Sequence, residues 1–120
     1  MRQRSEYLDW LIDELAPLGA IRAKSMFGGW GLYCDEAFFA IIDDDVLYLK
    51  ADAQNRAAFV AEGVPPFSYT VRGKTQTMSY FRLPDAALDD STALLHWART
   101  GFEAALRAGV AKQGRSRVVR

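Results

Sequence analysis

Apolar residues recur along this chain at two spacings. Leu8, Leu11, Ile12, Leu15 and Leu18 fall three or four residues apart, behind a Ser5 that can cap a helix and ahead of a Gly19 that can stop one. That pattern predicts an amphipathic first helix. "AIRAKSMFG", "GWGLYC", "AFFAII" and "VLYLK" then read as four strands, and connections as short as Asp35-Glu36 and Asp43-Asp44-Asp45 predict an antiparallel meander. Asp52 is placed to cap a short middle helix carrying Phe59 and Val60, which Gly63 and Pro65-Pro66 end. "FSYTV" and "TQTMSYF" flank Gly73-Lys74, a two-residue hairpin turn. Beyond Pro84, a capping region at Asp89 to Thr92 opens a long helix with Leu95, Ala98, Phe102, Ala105 and Leu106 on one stripe. The expected fold is α+β: an antiparallel meander sheet plus a β-hairpin, with N-terminal and C-terminal helices and a short middle helix packed on it. It occupies residues 1–110, and residues 111–120 read as a basic, flexible tail.

Register assigns residues to faces. With Asp35-Glu36 as a two-residue turn, Trp30 opposes Ile41, Leu32 opposes Phe39 and Cys34 opposes Ala37. With the three aspartates as the next turn, Ile41 opposes Leu47 and Phe39 opposes Leu49, so this face is wholly apolar and belongs to the core. The other face pairs Gly29 with Ile42, Gly31 with Ala40 and Tyr33 with Phe38, and sets Tyr48 and Lys50 beside them. Glycine and alanine there make a low floor between aromatic walls, the mark of close approach by a helix, a second copy or a ligand. Gly29, Gly31, Tyr33, Phe38, Ala40, Tyr48 and Lys50 are therefore the candidate binding residues. In the second hairpin, Val71/Gln76, Tyr69/Met78 and Phe67/Tyr80 share an aromatic face directed to the core. Thr70/Thr77 and Ser68/Ser79 share a hydroxyl face directed to water, whose small side chains also suit a partner strand.

The glycines do not form a phosphate cradle. A dinucleotide fingerprint needs G-x-G-x-x-G opening a helix, whereas Gly29 and Gly31 are followed by Cys34 and by more strand. "GKT" at Gly73 to Thr75 lacks the first glycine of a P-loop and leads into a strand. His96 is the single histidine and Cys34 the single cysteine, so neither a zinc set nor an intrachain disulfide can be assembled. Cys34 lies beside acidic Asp35 and Glu36, a setting that does not activate a thiol. Asp43, Asp44 and Asp45 lack the glycine and later glutamate of a calcium loop. No catalytic residue, metal or cofactor is expected.

Charge is balanced overall but not along the chain. From Arg107 onward there are five positive residues and no negative ones, leaving residues 1–106 with ten positive and fifteen negative. An acidic body argues against nucleic-acid recognition by the folded part, so Lys112, Arg115, Arg117 and Arg120 are the candidate nucleic-acid residues, with weak and non-specific contact expected. The N-terminal stretch has acids where a secretory signal needs an apolar run, and no apolar segment spans a bilayer, so a cytoplasmic location without membrane contact is expected.

"MFGGWGLY", "LYLK", "NRAAF", "PPFSY", "TMSYFRLP" and the acidic start of the last helix occur in that order, and together they resemble the N-terminal domain of TfoX/Sxy proteins, which are associated with regulation of natural competence. The resemblance spans Tyr7 to Leu106. It implies an α+β domain with helices against an antiparallel sheet and brings no established catalytic residues. Proteins of that type usually carry a second, helical C-terminal domain that is not found in this sequence. The expected reading is a stand-alone, non-enzymatic domain acting through a protein partner, a role a second copy can also fill, in competence-related transcriptional regulation. The alternatives are a small-ligand binder or enzyme using the groove over the glycine strand, and a nucleic-acid accessory protein using the tail.

Overall fold

A computed structural model describes residues 5–26 and 28–119, the side chains of residues 111–119 excepted. Helix α1 (Glu6–Leu15) begins where the Leu8 N–H donates to Ser5 Oγ, and it ends in a 3₁₀ turn at Ala16–Leu18. Strands β1 (Ile21–Met26), β2 (Gly29–Cys34), β3 (Ala37–Asp43) and β4 (Val46–Lys50) follow as the expected meander. After helix α2 (Arg56–Ala61) come β5 (Pro66–Val71) and β6 (Lys74–Arg82). A 3₁₀ turn at Asp85–Asp89 leads into helix α3 (Ser91–Val119), whose first turn is capped by Asp90 Oδ1 accepting from Thr92 N and Ala93 N.

The six strands form one antiparallel sheet in the order β1-β2-β3-β4-β6-β5, giving an α+β fold. The hairpin therefore joins through its second strand: Leu49 pairs with Phe81 and Lys50 with Tyr80. No described helix is long and apolar enough to cross a membrane.

Helices cover one face of the sheet. Leu8, Leu11 and Leu15 of α1 and Leu94, Ala98 and Ala105 of α3 pack on Leu32, Ala40, Ile42, Leu47, Leu49 and Phe81. Phe59 of α2 stacks on Phe81, with ring centroids 5.4 Å apart. α3 comes close to the strands at Gly101, where a Cβ would sit 3.2 Å from Leu49 Cβ and 3.5 Å from the Phe39 carbonyl oxygen. Only glycine or a very small residue lets the helix lie that near the strands. Leu95 is only half-buried and Leu106 is 46% exposed, so the helix buries Leu94, Ala98, Gly101, Ala104 and Ala105 instead of the whole expected stripe.

Three expectations are corrected. A β-bulge at Phe39 keeps Cys34↔Ala37 and Tyr33↔Phe38 as predicted, but shifts the rest by one residue to Leu32↔Ala40, Gly31↔Ile41 and Trp30↔Ile42. Ala40 and Ile42 consequently turn to the helices and Ile41 to the opposite face. Asp43 pairs with Val46, so the turn is Asp44-Asp45 alone, both residues at positive φ. The second hairpin turns at Arg72-Gly73, with φ of 53° and 78°, and pairs Val71 with Lys74, Thr70 with Thr75, Tyr69 with Gln76 and Ser68 with Thr77. Glycine takes the second turn position because both central residues of this mirror-image turn need positive φ and the second is filled most easily by glycine. The backbone of the last segment continues α3 to Val119, since Ala, Lys, Gln and Arg favour helix and interior glycines weaken it without ending it.

Candidate functional site

The face of the sheet away from the helices carries a second apolar layer. Ile41 is fully buried, with Phe67 and Tyr80 beside it and the half-buried Phe38, Tyr48, Tyr69 and Met78 around them. The bulge at Phe39 creates this layer by rotating Ile41 out of the helix-side core.

Across the layer runs a row of stacked groups drawn from five strands. The Arg22 guanidinium lies 4.4 Å from the Tyr33 ring centre, Tyr33 stacks on Phe38 at 5.2 Å, Phe38 meets Tyr80 at 5.4 Å, and Lys50 Nζ lies 5.2 Å from the Tyr80 ring. A cation thus closes each end of an aromatic row, an arrangement favoured by the negative charge of ring faces. Arg22 is also held by Glu36, with Nη2 at 2.9 Å and Nε at 3.2 Å from the two carboxylate oxygens. Burial pushes the Tyr80 phenol well above its ordinary range, and burial, then nearby Asp43, raises Tyr48, so both stay protonated hydrogen-bond donors.

The glycines of the opening strand are explained by what lies on them. A Cβ at Gly31 would run into the end of the Met26 side chain and the Phe38 ring. At Gly29 it would strike the backbone carbonyl of Ile42. Close approach is thus made by the neighbouring strands themselves, while the helices lie on the other face. Of the seven candidate residues, Gly31, Tyr33, Phe38, Tyr48 and Lys50 share this face and Gly29 lies buried at its end. Ala40 is removed to the helix-side core by the bulge.

At the Lys50 end, α3 overhangs the sheet. Phe38, Lys50, Tyr80, Leu106 and Val110 line an open trough of about 550 Å³ there, with Asp35 and Glu36 at its rim. Arg107 anchors the overhang: its Nε and Nη2 donate to Asp52 at 2.6 and 2.9 Å. This contact, with a further bond from Gln54 N, holds the Asp52 carboxyl down to about 2. Asp52 therefore serves the anchor, and Asn55 stands at the start of α2 in its place. Buried Asn55 ties the same junction together, with Nδ2 donating to the Lys50 and Thr100 carbonyls and Oδ1 accepting from Asp52 N. Arg107, Asn55 and Gly101 draw no notice in the sequence, because partners such as Asp52, Thr100 and Phe39 lie far away along the chain.

His96 is exposed on α3 beside Trp97, and Cys34 is buried, its thiol raised by burial and then by Asp35. The side chains of Lys112, Arg115, Arg117 and Arg120 lie outside the described residues.

The family model for the TfoX N-terminal domain matches residues 13–105. Protein Sxy of Escherichia coli (strain K12) is 29% identical over 104 residues, which cover 87% of this chain and 50% of that protein. DNA transformation protein TfoX1 of Aliivibrio fischeri (strain ATCC 700601 / ES114) is 28% identical over 86 residues, covering 72% of this chain and 41% of its own length. The chain spans half or less of the length of these curated relatives. With most of its length matched by that model, the chain belongs to the TfoX N-terminal domain family.

Proposed function

We propose that this chain is a non-enzymatic regulatory protein of the TfoX/Sxy kind that acts by binding another protein through the open face of its sheet. The supporting observation is the row from Arg22 through Tyr33, Phe38 and Tyr80 to Lys50. Its ring faces are already taken by neighbouring rings and cations, so it presents ring edges and positive charge outward. Nucleobases need open ring faces to stack on. Ring edges and cations instead suit the carboxylates and carbonyls of a protein surface. The process served is competence-related regulation, carried over from relatives of which one is named a DNA transformation protein. Its cytoplasmic setting is part of the same reading.

The test is affinity capture from the native cell with the wild type and with a Tyr33→Ala/Lys50→Glu variant of verified thermal stability. A defined protein retained by the wild type and lost from the variant is expected. Identical captures from both would overturn the reading.

A further inference from the structure

The two edges of the sheet differ. β1 carries Arg22 and Lys24 among its six residues, and such charges oppose pairing with another strand. β5, at the other edge, has no charged residue between Pro66 and Val71. The hairpin determines which backbone groups of β5 face outward. With Arg72-Gly73 as a two-residue turn, Val71 and Lys74 form the hydrogen-bonded pair that closes it, and alternation makes Tyr69 and Gln76 the next such pair. Thr70 pairs with Thr75 in the closer, non-hydrogen-bonded manner, and their hydroxyls lie 3.2 Å apart. The N–H and C=O groups of Ser68 and Thr70 therefore point away from β6, and both residues are exposed.

We propose that a second copy of this chain pairs its β5 antiparallel to this one about a two-fold axis at Tyr69, joining two six-stranded sheets into one. The two outward-facing residues lie one on each side of Tyr69. In this register Ser68 meets Thr70 of the partner subunit, and each such pair exchanges two backbone hydrogen bonds. The hydroxyl side chains of that pair share one face, and Phe67 meets Val71 of the partner subunit on the other; Val71 is 49% exposed in the single chain. Charge selects this pairing over the alternatives. Joining β1 to β1 would set Arg22 and Lys24 against their equals. Joining β1 to β5 would leave a free edge at each end and continue as a fibre. The β5 pairing closes on itself and leaves only the two charged edges outside. It stands independently of the regulatory reading, which uses the face of the sheet and not its edge.

One strand pair lies at the low end of specific interfaces, so the dimer is weak and dissociates on dilution in the micromolar range. Sedimentation equilibrium of the intact chain from about 1 to about 500 μM spans that range. The expected result is a mass that rises from one chain to two. Thr70→Pro removes an outward N–H without taking a bond from β6, and Thr70→Lys places the charge that protects β1 on β5. Each should weaken dimerisation at least tenfold, whereas Lys24→Thr should not. Circular dichroism and thermal melts establish that each variant is folded. A monomer at the highest concentration, growth beyond two chains, or a dimer that survives Thr70→Lys would overturn the proposal.

Discussion

Asp52 and Arg107 tie the end of β4 to the overhanging part of α3 through two charge-assisted hydrogen bonds. Because the folded carboxyl titrates near 2, below the ordinary value near 4, its contribution is full above about pH 5 and disappears as the pH falls through that interval. The two side chains are 29% and 33% exposed, and solvent screening reduces the contribution to about 1 kcal/mol. Asp52→Asn is therefore expected to lower the urea unfolding free energy by about that amount at pH 7 and by almost nothing at pH 2. Equal losses at both pH values would mean that the ion pair is not the cause. From sequence, Asp52 is legible only as a helix cap, since local spacing sees the helix four residues on and not an arginine 55 residues away. The same blindness hides Asn55, whose amide unites three segments.

The meander is legible at the scale of elements because its connections are too short for anything but antiparallel neighbours. The bulge in β3 is not. "AFFAII" is apolar on both faces, so an inserted residue leaves no break in an alternation that was never present. That single residue decides that Ala40 serves the helix-side core and that Ile41 founds the opposite layer. In β2 the glycines are legible as sites of close approach, but not what approaches. Met26 is a pliable cover for Gly31, whereas the Phe38 ring is locked between Tyr33 and Tyr80. Gly31→Val should overpack this point and cost about 1 to 3 kcal/mol in denaturant unfolding. An unchanged midpoint and slope would show that the covering side chains move away freely.

Taken whole, the molecule is neutral but sorted by charge. Helix α1 carries four acids and no cation, whereas Arg22, Lys24 and Lys50 lie on the open sheet face. Sequence totals average this separation away. They do identify the chain's basic end, whose four charges beyond residue 111 can neutralise a few phosphates without reading bases. Duplex DNA is expected to bind weakly and without sequence preference, and to be lost between about 50 and about 200 mM salt. Titrations of two unrelated duplexes with the wild type and with a variant carrying Gln at Lys112, Arg115, Arg117 and Arg120 test this. Tight binding at the higher salt, or a preference between duplexes, would assign DNA a specific site. The family is legible because motif order survives where register does not; strand order is less so, since nothing local announces that β6, and not β5, adjoins β4. That order has a consequence during synthesis. The ribosome delivers the first four strands as a sheet whose β4 edge waits for a strand that begins 24 residues later, and the helix that covers β3 and β4 is made only after all six strands. Until α3 has been made, the part of the sheet it covers at Phe39 and Leu49 lacks that cover on a nascent chain, so this domain depends on α3 to fold without aggregating.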